Sequence, residues 1–561
     1  MLGVSGLVVL CVSSLHWHGG LRLIQNPCYI GGLQLIQTPV LGVFAWREQL
    51  EIVENKALLL KLKNPKRVTE VIPKSQELDN NQVLVKWGID EAQVLKNLKI
   101  RDVPSPILAH YSWTGQHKPF DHQKTTAAFL TLNKRAFCFN EQGTGKTGSV
   151  IWAADYLITQ GKINRVLVIC PLSIMDSAWR ADLFKFAMHR TVDIAHGSAD
   201  KRKQIINSDT EFVIINYDGV EIVKKEIMEG GFDLIVVDEA NAYKNAQAKR
   251  WKVLHSLMTP KTWLWMLTGT PAAQSPLDAY GIAKLVNPDG VPKFFSTFRD
   301  MVMHKVTQFK WVPKDSATKL VFNALQPAIR FTKDECLDLP EMTYVKREIA
   351  LTKQQEKYYK LLRTRMIMQA AGEEITAVNA AVVMNKLLQI SCGAVYSDEG
   401  ETIEFDTKNR YKALLEVIEE SSQKVLVFVP FKHVIGILQD KLNADGITNE
   451  TISGDVSASN RARIFQEFQT KQDPRVLIIQ PQAAAHGVTL TAANTVVWWG
   501  PVASLETYAQ ANARVHRSGQ RHPTTVVQLQ GSPAERHVYS LLDKKIDVHS
   551  KMIDLYKNLV V

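Results

Sequence analysis

The stretch Ala136-Phe137-Cys138-Phe139-Asn140-Glu141-Gln142-Gly143-Thr144-Gly145-Lys146-Thr147 runs from an apolar tetrad into a glycine loop. The tetrad reads as a buried parallel strand, and residues 149–158, which follow the loop, read as a helix. Strand, glycine loop, Gly-Lys-Thr and helix in that order make a phosphate cradle. Gly143 and Gly145 carry no Cβ, so the backbone N–H groups around Thr144 can turn toward an anion. The start of the helix adds a partial positive charge. Lys146 is then expected at the β- and γ-phosphates of a nucleotide, and the Thr147 hydroxyl at Mg2+. The strict form of this loop opens on glycine, and here the first position is Asn140.

Three further segments fit the same chemistry. Phe120-Asp121-His122-Gln123 lies just upstream, and the Gln123 amide, a donor and an acceptor in one group, suits the edge of an adenine. Asp233-Leu234-Ile235-Val236-Val237-Asp238-Glu239-Ala240-Asn241 is an apolar strand that ends in two carboxylates. Such a strand sets the acids at the carboxyl edge of a parallel sheet, beside the phosphate loop. Asp238 is expected to hold Mg2+ through water and Glu239 to polarise the attacking water. Trp263-Leu264-Trp265-Met266-Leu267-Thr268-Gly269-Thr270-Pro271 is a strand that exits into hydroxyl residues able to sense a γ-phosphate. Between these segments, Val166-Leu167-Val168-Ile169-Cys170 and Phe212-Val213-Ile214-Ile215 are β-branched and continuous, as in strands buried on both faces. Helical stretches separate them, so the sheet is expected to be parallel and doubly wound.

The chain has 561 residues, too many for one core, and 45% of them are apolar. A formal net charge of +11 favours a polyanionic partner. Six cysteines are scattered without a C-x-x-C pair, which points away from zinc and disulfide frameworks and suits a reducing, cytoplasmic compartment. Residues 1–50 read as a poorly structured extension. Their apolar segment is too short to span a bilayer, and two near-repeats, Gly19-Gly20-Leu21-Arg22-Leu23-Ile24-Gln25 and Gly31-Gly32-Leu33-Gln34-Leu35-Ile36-Gln37, make no solenoid. Residues 51–103 alternate apolar and polar positions and are expected to form a small β-rich module.

The C-terminal half narrows the reading. Gln510-Ala511-Asn512-Ala513-Arg514-Val515-His516-Arg517-Ser518-Gly519-Gln520 follows Ser453-Gly454, Arg461 and Phe468. Together with Gln123, Gly-Thr-Gly-Lys-Thr, Asp-Glu-Ala-Asn and Leu-Thr-Gly-Thr-Pro, these segments resemble the Swi/Snf branch of helicase superfamily two. Ile329-Arg330-Phe331-Thr332-Lys333 and Leu339-Pro340 resemble that branch's linker. The resemblance spans roughly residues 104–543. It implies an α/β architecture of two RecA-like parallel-sheet domains, a first at 104–277 and a second at 410–561, with a helical insertion at 278–409. It further implies ATP and Mg2+ in the cleft between them and a monomeric, membrane-free motor on DNA, usually duplex, of the stand-alone kind found in bacteria and their viruses. Catalysis would fall to Lys146, Asp238, Glu239, Arg514 and Arg517, nucleotide binding to Gln123, Gly143, Thr144, Gly145, Lys146, Thr147, Asn241 and Gly487, and metal binding to Thr147 and Asp238. Arg514 and Arg517, three apart, are expected on one face of a helix.

Two departures stand out. Asn241 occupies a position where the branch usually has histidine. Ala484-Ala485 replaces a glycine pair, leaving Gly487 in that loop. Residues 301–333 interleave Lys305, Lys310, Lys314, Lys319, Arg330 and Lys333 with Phe309, Trp311 and Phe322, a composition suited to tracking phosphates. Two other tasks are open to the same residues: strand separation in recombination or replication restart, and a nucleic-acid scaffold whose motor has decayed.

Overall fold

The computed structural model describes residues 29–30, 33–34, 49–272, 274–307, 310–370, 377–396, 402–484 and 488–557. Most of the expected extension, together with Phe309, Ala485 and Gly487, lies outside the described residues.

The first module is a four-stranded antiparallel sheet: β1 (Gln49–Val53), β2 (Ala57–Lys61), β3 (Gln76–Leu78) and β4 (Gln82–Lys86), in the order β1-β2-β4-β3. Its alternation has a simple cause. Leu58, Leu60, Val83 and Val85 point to one face and are fully buried, with Trp87 beside them. Helix α1 (Ile89–Asn97) docks this module on the neighbouring lobe, with Gln93 Nε2 donating to the Thr131 carbonyl at 2.8 Å. Trp87 Nε1 donates to the Pro104 carbonyl at 2.8 Å.

The first lobe is built on seven strands: β5 (Arg135–Cys138), β6 (Val166–Cys170), β7 (Val192–Ile194), β8 (Phe212–Asn216), β9 (Leu234–Val237), β10 (Trp263–Leu267) and β11 (Ala328–Ile329). They run in the order β11-β5-β10-β9-β6-β8-β7, and every pairing is parallel. The apolar runs are continuous because both faces are covered: Phe137, Leu167, Ile169, Val213 and Val237 enter one core, while Cys138, Val166, Val168, Ile214 and Val236 enter the other.

The second lobe repeats the plan with six parallel strands: β12 (Met342–Glu348), β13 (Lys424–Phe428), β14 (Asn449–Ile452), β15 (Val476–Ile479), β16 (Ala493–Trp498) and β17 (Thr524–Gln530), in the order β12-β17-β16-β13-β15-β14. Two parallel-sheet α/β lobes are therefore present, as the motifs imply.

The interval 278–409, expected as one helical insertion, divides differently. Tyr280, Ile282, Phe298, Val302 and Val321 belong to the first lobe's core, and β11 is that lobe's edge strand. β12 belongs to the second sheet. Helices α5 (Lys353–Ala370) and α6 (Ala377–Cys392) supply Tyr359, Leu387, Leu388 and Ile390 to a cluster with Ala534 and Val538 of the second lobe. A two-residue edge strand has no readable period, so sequence alone could not mark the join. The basic-aromatic stretch is likewise no single open groove. Arg330 is 3% exposed, and Trp311 and Phe322 pack on the core, while Lys305, Lys310 and Lys319 remain exposed.

Trp87 links module to lobe, and truncating a buried aromatic costs about 3–5 kcal/mol. In Trp87→Ala, hydrogen exchange should lose protection across β2 and β4 while β9 stays protected.

Candidate functional site

The site is assembled from the carboxyl ends of three adjacent strands. β5 leads into the phosphate loop, β10 into Thr268-Gly269-Thr270, and β9 into Asp238-Glu239, and these strands are direct neighbours in the order β5-β10-β9. The pairing continues beyond the strands: Thr268 N–H donates to the Cys138 carbonyl at 3.1 Å and Asp238 N–H to the Ile169 carbonyl at 2.9 Å. Register in a parallel sheet therefore fixes loop, hydroxyls and acids relative to one another.

Helix α3 (Lys146–Thr159) starts at the lysine, three residues ahead of the expected start, with Gly145 before it at φ +76°. Lys146 Nζ donates to the carbonyls of Asn140 and Glu141 at 2.9 and 3.1 Å, lying across the loop it serves. Thr147 is in the first helical turn and half-buried, and the Thr144 hydroxyl donates to the Glu141 carbonyl at 2.8 Å. Gly143 sits at φ +90°, and a Cβ built there would lie 3.2 Å from Arg517 Cβ and 3.7 Å from Lys333 Cε. The loop thus presents bare backbone to two cations.

Gln123 lies in the first turn of helix α2 (Asp121–Thr131). Its Oε1 accepts from Phe120 N–H at 2.9 Å, and its Nε2 faces the Gly145 carbonyl at 3.3 Å. Asn140 explains its own departure from glycine. It is fully buried, its Nδ2 donates to Thr126 Oγ1 at 2.8 Å, and its Oδ1 accepts from Phe331 N–H at 3.0 Å. One amide therefore joins the loop, helix α2 and the linker that leaves β11.

Asp238 accepts from Trp179 Nε1 at 3.0 Å and from Glu239 N–H at 2.9 Å. Tyr217 Oη donates to the Asp238 carbonyl at 2.7 Å. Glu239 holds a left-handed backbone, φ +49°, uncommon for a residue with a Cβ. Burial raises the Asp238 carboxyl, with Lys146 pulling the other way. Burial and the neighbouring Asp238 push Glu239 up to about 8.

The second lobe closes the cleft. Helix α7 (Leu505–Asn512) ends before Arg514, so the two arginines are not on a common helical face as expected. They follow the helix on a turn whose shape depends on Gln520, which donates to the Ala493 carbonyl at 2.8 Å and accepts from Arg521 and His522 N–H groups. Arg514 is 7% exposed, and burial together with Arg517 lowers it to about 10. Arg517 Nη1 donates to the Val488 carbonyl at 3.0 Å. Gln510 Nε2 meets Glu239 Oε2 at 3.2 Å, and Asn241 Nδ2 meets Glu506 Oε1 at 3.0 Å, both between lobes.

Lys333, expected only in the linker motif and among the phosphate-tracking cations of 301–333, belongs instead to this cleft, a placement that its basic surroundings in sequence do not mark. Its N–H donates to Glu141 Oε2 at 2.7 Å and its Nζ to the His516 carbonyl at 2.8 Å. Burial lowers it to about 8, with Glu141 opposing and Arg517, Lys146 and Arg514 adding to the shift. Lys333 thus feels the charge of Lys146, Arg514 and Arg517, and Glu239 that of Lys146 and Arg514, so four cations share a cleft with two carboxylates. Such a set suits a polyphosphate. Thr147 and Asp238 offer the few hard oxygen donors that Mg2+ takes when phosphates supply others. Among the described residues, no group of three or more His, Cys, Asp and Glu side chains could hold a metal, and no helix is long and apolar enough to cross a membrane.

Comparison with known proteins agrees with the geometry. A family model described as SNF2-related domain matches residues 122–393, and one described as Helicase conserved C-terminal domain matches residues 409–519. An uncharacterized ATP-dependent helicase of Mycoplasma genitalium is 26% identical over 404 residues, covering 70% of this chain and 37% of that protein. The chromodomain-helicase-DNA-binding protein 1-like of Danio rerio is 25% identical over 441 residues, covering 74% and 41%. The chain therefore spans less than half the length of these relatives. A solved Sulfolobus solfataricus SWI2/SNF2 ATPase core in complex with dsDNA is 22% identical, with a TM-score of 0.39 and coverage of 79% of this chain and 94% of that one.

Two outcomes follow from this geometry. Asn140→Gly should lower unfolding free energy by about 1–3 kcal/mol in urea titration, because it removes the hydrogen bonds to Thr126 Oγ1 and from Phe331 N–H. An anion at the loop favours the charged form of Lys333, so binding must raise its pKa from about 8 toward the ordinary lysine range. Pyrophosphate binding near pH 8 should accordingly take up protons, and Lys333→Met should take up fewer. Calorimetry in two buffers of different ionisation enthalpy measures both.

Proposed function

We propose that this chain, which matches the SNF2-related domain model over residues 122–393 and the Helicase conserved C-terminal domain model over 409–519, is a DNA-dependent ATPase that uses hydrolysis to translocate along duplex DNA and displace or remodel what is bound there. The observation that carries this reading is the convergence of Lys146, Lys333, Arg514 and Arg517, drawn from loop, linker and second lobe, on one cleft.

In this mechanism Lys146 and the loop N–H groups hold the β- and γ-phosphates. Thr147 and Asp238 would hold Mg2+, which supplies neutralisation of charge on the phosphate oxygens. Burial and Asp238 push Glu239 up to about 8, so its carboxylate form grows as pH rises through that value; in that form it accepts a hydrogen bond from the attacking water and orients it in line with the γ-phosphate. Arg514 and Arg517 approach from the other lobe and stabilise the charge that spreads over the transferring group, a contribution worth about 10³–10⁵ in rate. Loss of that charge weakens the attraction between lobes and lets them part. Gln123 stands beside the loop where an adenine edge would lie. Gly487 is assigned to the nucleotide by resemblance alone. The net charge of +11 and the exposed Lys305, Lys310 and Lys319 support a polyanionic track.

Lys146→Ala and Glu239→Gln should abolish ATP turnover while leaving DNA affinity within about threefold, and Arg517→Ala should lower kcat far more than ATP affinity. Phosphate release with no nucleic acid, single-stranded DNA, duplex DNA and RNA tests the assignment. Duplex should stimulate most. No stimulation by any of them contradicts the motor, and efficient strand displacement on forked DNA would favour the unwinding task.

A further inference from the structure

Asn241 stands in the acid box where histidine is usual, and its side chain is fully engaged. Its Nδ2 lies 3.0 Å from Glu506 Oε1 in the second lobe, 3.1 Å from the Thr270 carbonyl and 3.2 Å from Thr268 Oγ1. Gln510, one helical turn after Glu506, places its Nε2 at 3.2 Å from Glu239 Oε2 and 3.4 Å from Glu506 Oε1. An amide nitrogen has two hydrogens. Those of Gln510 go to Glu239 and Glu506, and those of Asn241 go to Glu506 and the Thr268–Thr270 loop. A single carboxylate oxygen of Glu506 therefore receives one hydrogen from each amide. Without that acceptor each amide keeps partners on the first lobe alone, Gln510 at Glu239 and Asn241 at the Thr268–Thr270 loop.

Glu506 is well placed to act as this fixed point. It lies in the first turn of α7, where Ser504 Oγ caps by accepting from Thr507 N–H at 3.2 Å, and a carboxylate there is favoured by the helix dipole. Close by, Gln274 Nε2 of the first lobe meets Ser504 Oγ at 3.3 Å, and Lys545 Nζ donates to Gln274 Oε1 at 2.6 Å. The lobes are thus already in register at this corner.

We propose that Glu506 is a positioning residue: across the cleft it orients Asn241 and Gln510, so that Gln510 holds the Glu239 carboxylate toward the attacking water and the Thr268–Thr270 loop is tied to the second lobe. This rests on the functional reading above and adds to it a residue that touches neither nucleotide nor metal. It also accounts for the tolerance of asparagine at position 241. A two-donor amide stands at position 241, and the second lobe supplies a matching acceptor.

The test uses the full chain and compares E506A, E506Q, N241A and the N241A/E506A double variant. DNA-stimulated turnover gives kcat and KM for ATP. A second, activity-independent readout is the distance between spin labels on the two lobes, measured by pulsed electron resonance. E506A should lower kcat by about tenfold with KM changed by no more than about twofold, and should broaden the interlobe distances. E506Q keeps a carbonyl acceptor and should stay within about threefold of the parent. N241A and E506A should be non-additive, the double variant losing no more than about twofold beyond the worse single one. An unchanged kcat in E506A, strictly multiplicative losses in the double variant, or an E506Q loss as deep as that of E506A would each overturn the proposal. Should E506A fail to melt cooperatively, E506Q and N241A still decide it. If the parent protein shows no turnover on any polynucleotide, the motor reading falls. The spin-label distances then judge Glu506 alone: broadening in E506A upholds the interlobe brace, and identical distributions reject it.

Discussion

Burial of cations beside one another in a single cleft is the constraint on which this structure turns. Lys146, Lys333, Arg514 and Arg517 come from a loop, a linker and a second lobe, and burial leaves each of the last three with a charge that is harder to keep. Two carboxylates across the cleft feel the same burial in the opposite sense. On the proposed reading, a polyphosphate between these groups would relieve the cations, and its hydrolysis would remove that relief. Electrostatics of this kind are strong where the charged groups are buried, and the charge of one phosphoryl group would be enough to switch them. The proposed motor needs such a switch between two bodies, and the two separate parallel sheets supply them.

Rigidity enters through backbone register. Three neighbouring strands deliver loop, hydroxyls and acids to one edge, and the hydrogen bonds that extend the strands pin the first residue of each functional loop. Side chains then refine the placement. Trp179 and Tyr217 hold the acid loop while Glu239 adopts a backbone conformation that a free chain would rarely visit. Arg330, buried, donates to the carbonyls of Phe139 and Gly269 at 2.7 and 3.2 Å, and so binds the linker to the same edge. The linker is thereby part of the site, not merely a tether between lobes.

Departures from the usual family pattern turn out to have local partners. Asn140 forgoes the freedom of glycine and gains two buried hydrogen bonds. Asn241 forgoes an imidazole and meets Glu506. In each case the unusual residue is an amide, which can donate and accept at once, and in each case one compensating group, Phe331 or Glu506, lies far away in the chain. That distance is why a single sequence marks such positions as anomalies without explaining them.

What the sequence determined by itself were the local elements. Apolar runs of four or five residues ending in Gly-x-Gly-Lys-Thr, Asp-Glu and Thr-Gly-Thr specify buried strands with polar exits, because the period and the exit chemistry are contained within a few residues. The motif order then implied two α/β lobes and named most of the cleft. Tertiary structure decided the rest: that Ala328–Ile329 joins the first sheet, that Arg514 and Arg517 sit on a turn and not a helix, that Lys333 faces the phosphate loop, and that Glu506 reaches Asn241. Each of these depends on contacts between residues nearly two hundred or more positions apart, or on a loop folded around a buried glutamine. Neither spacing nor composition encodes such a contact until the sheets have formed and brought its two ends together.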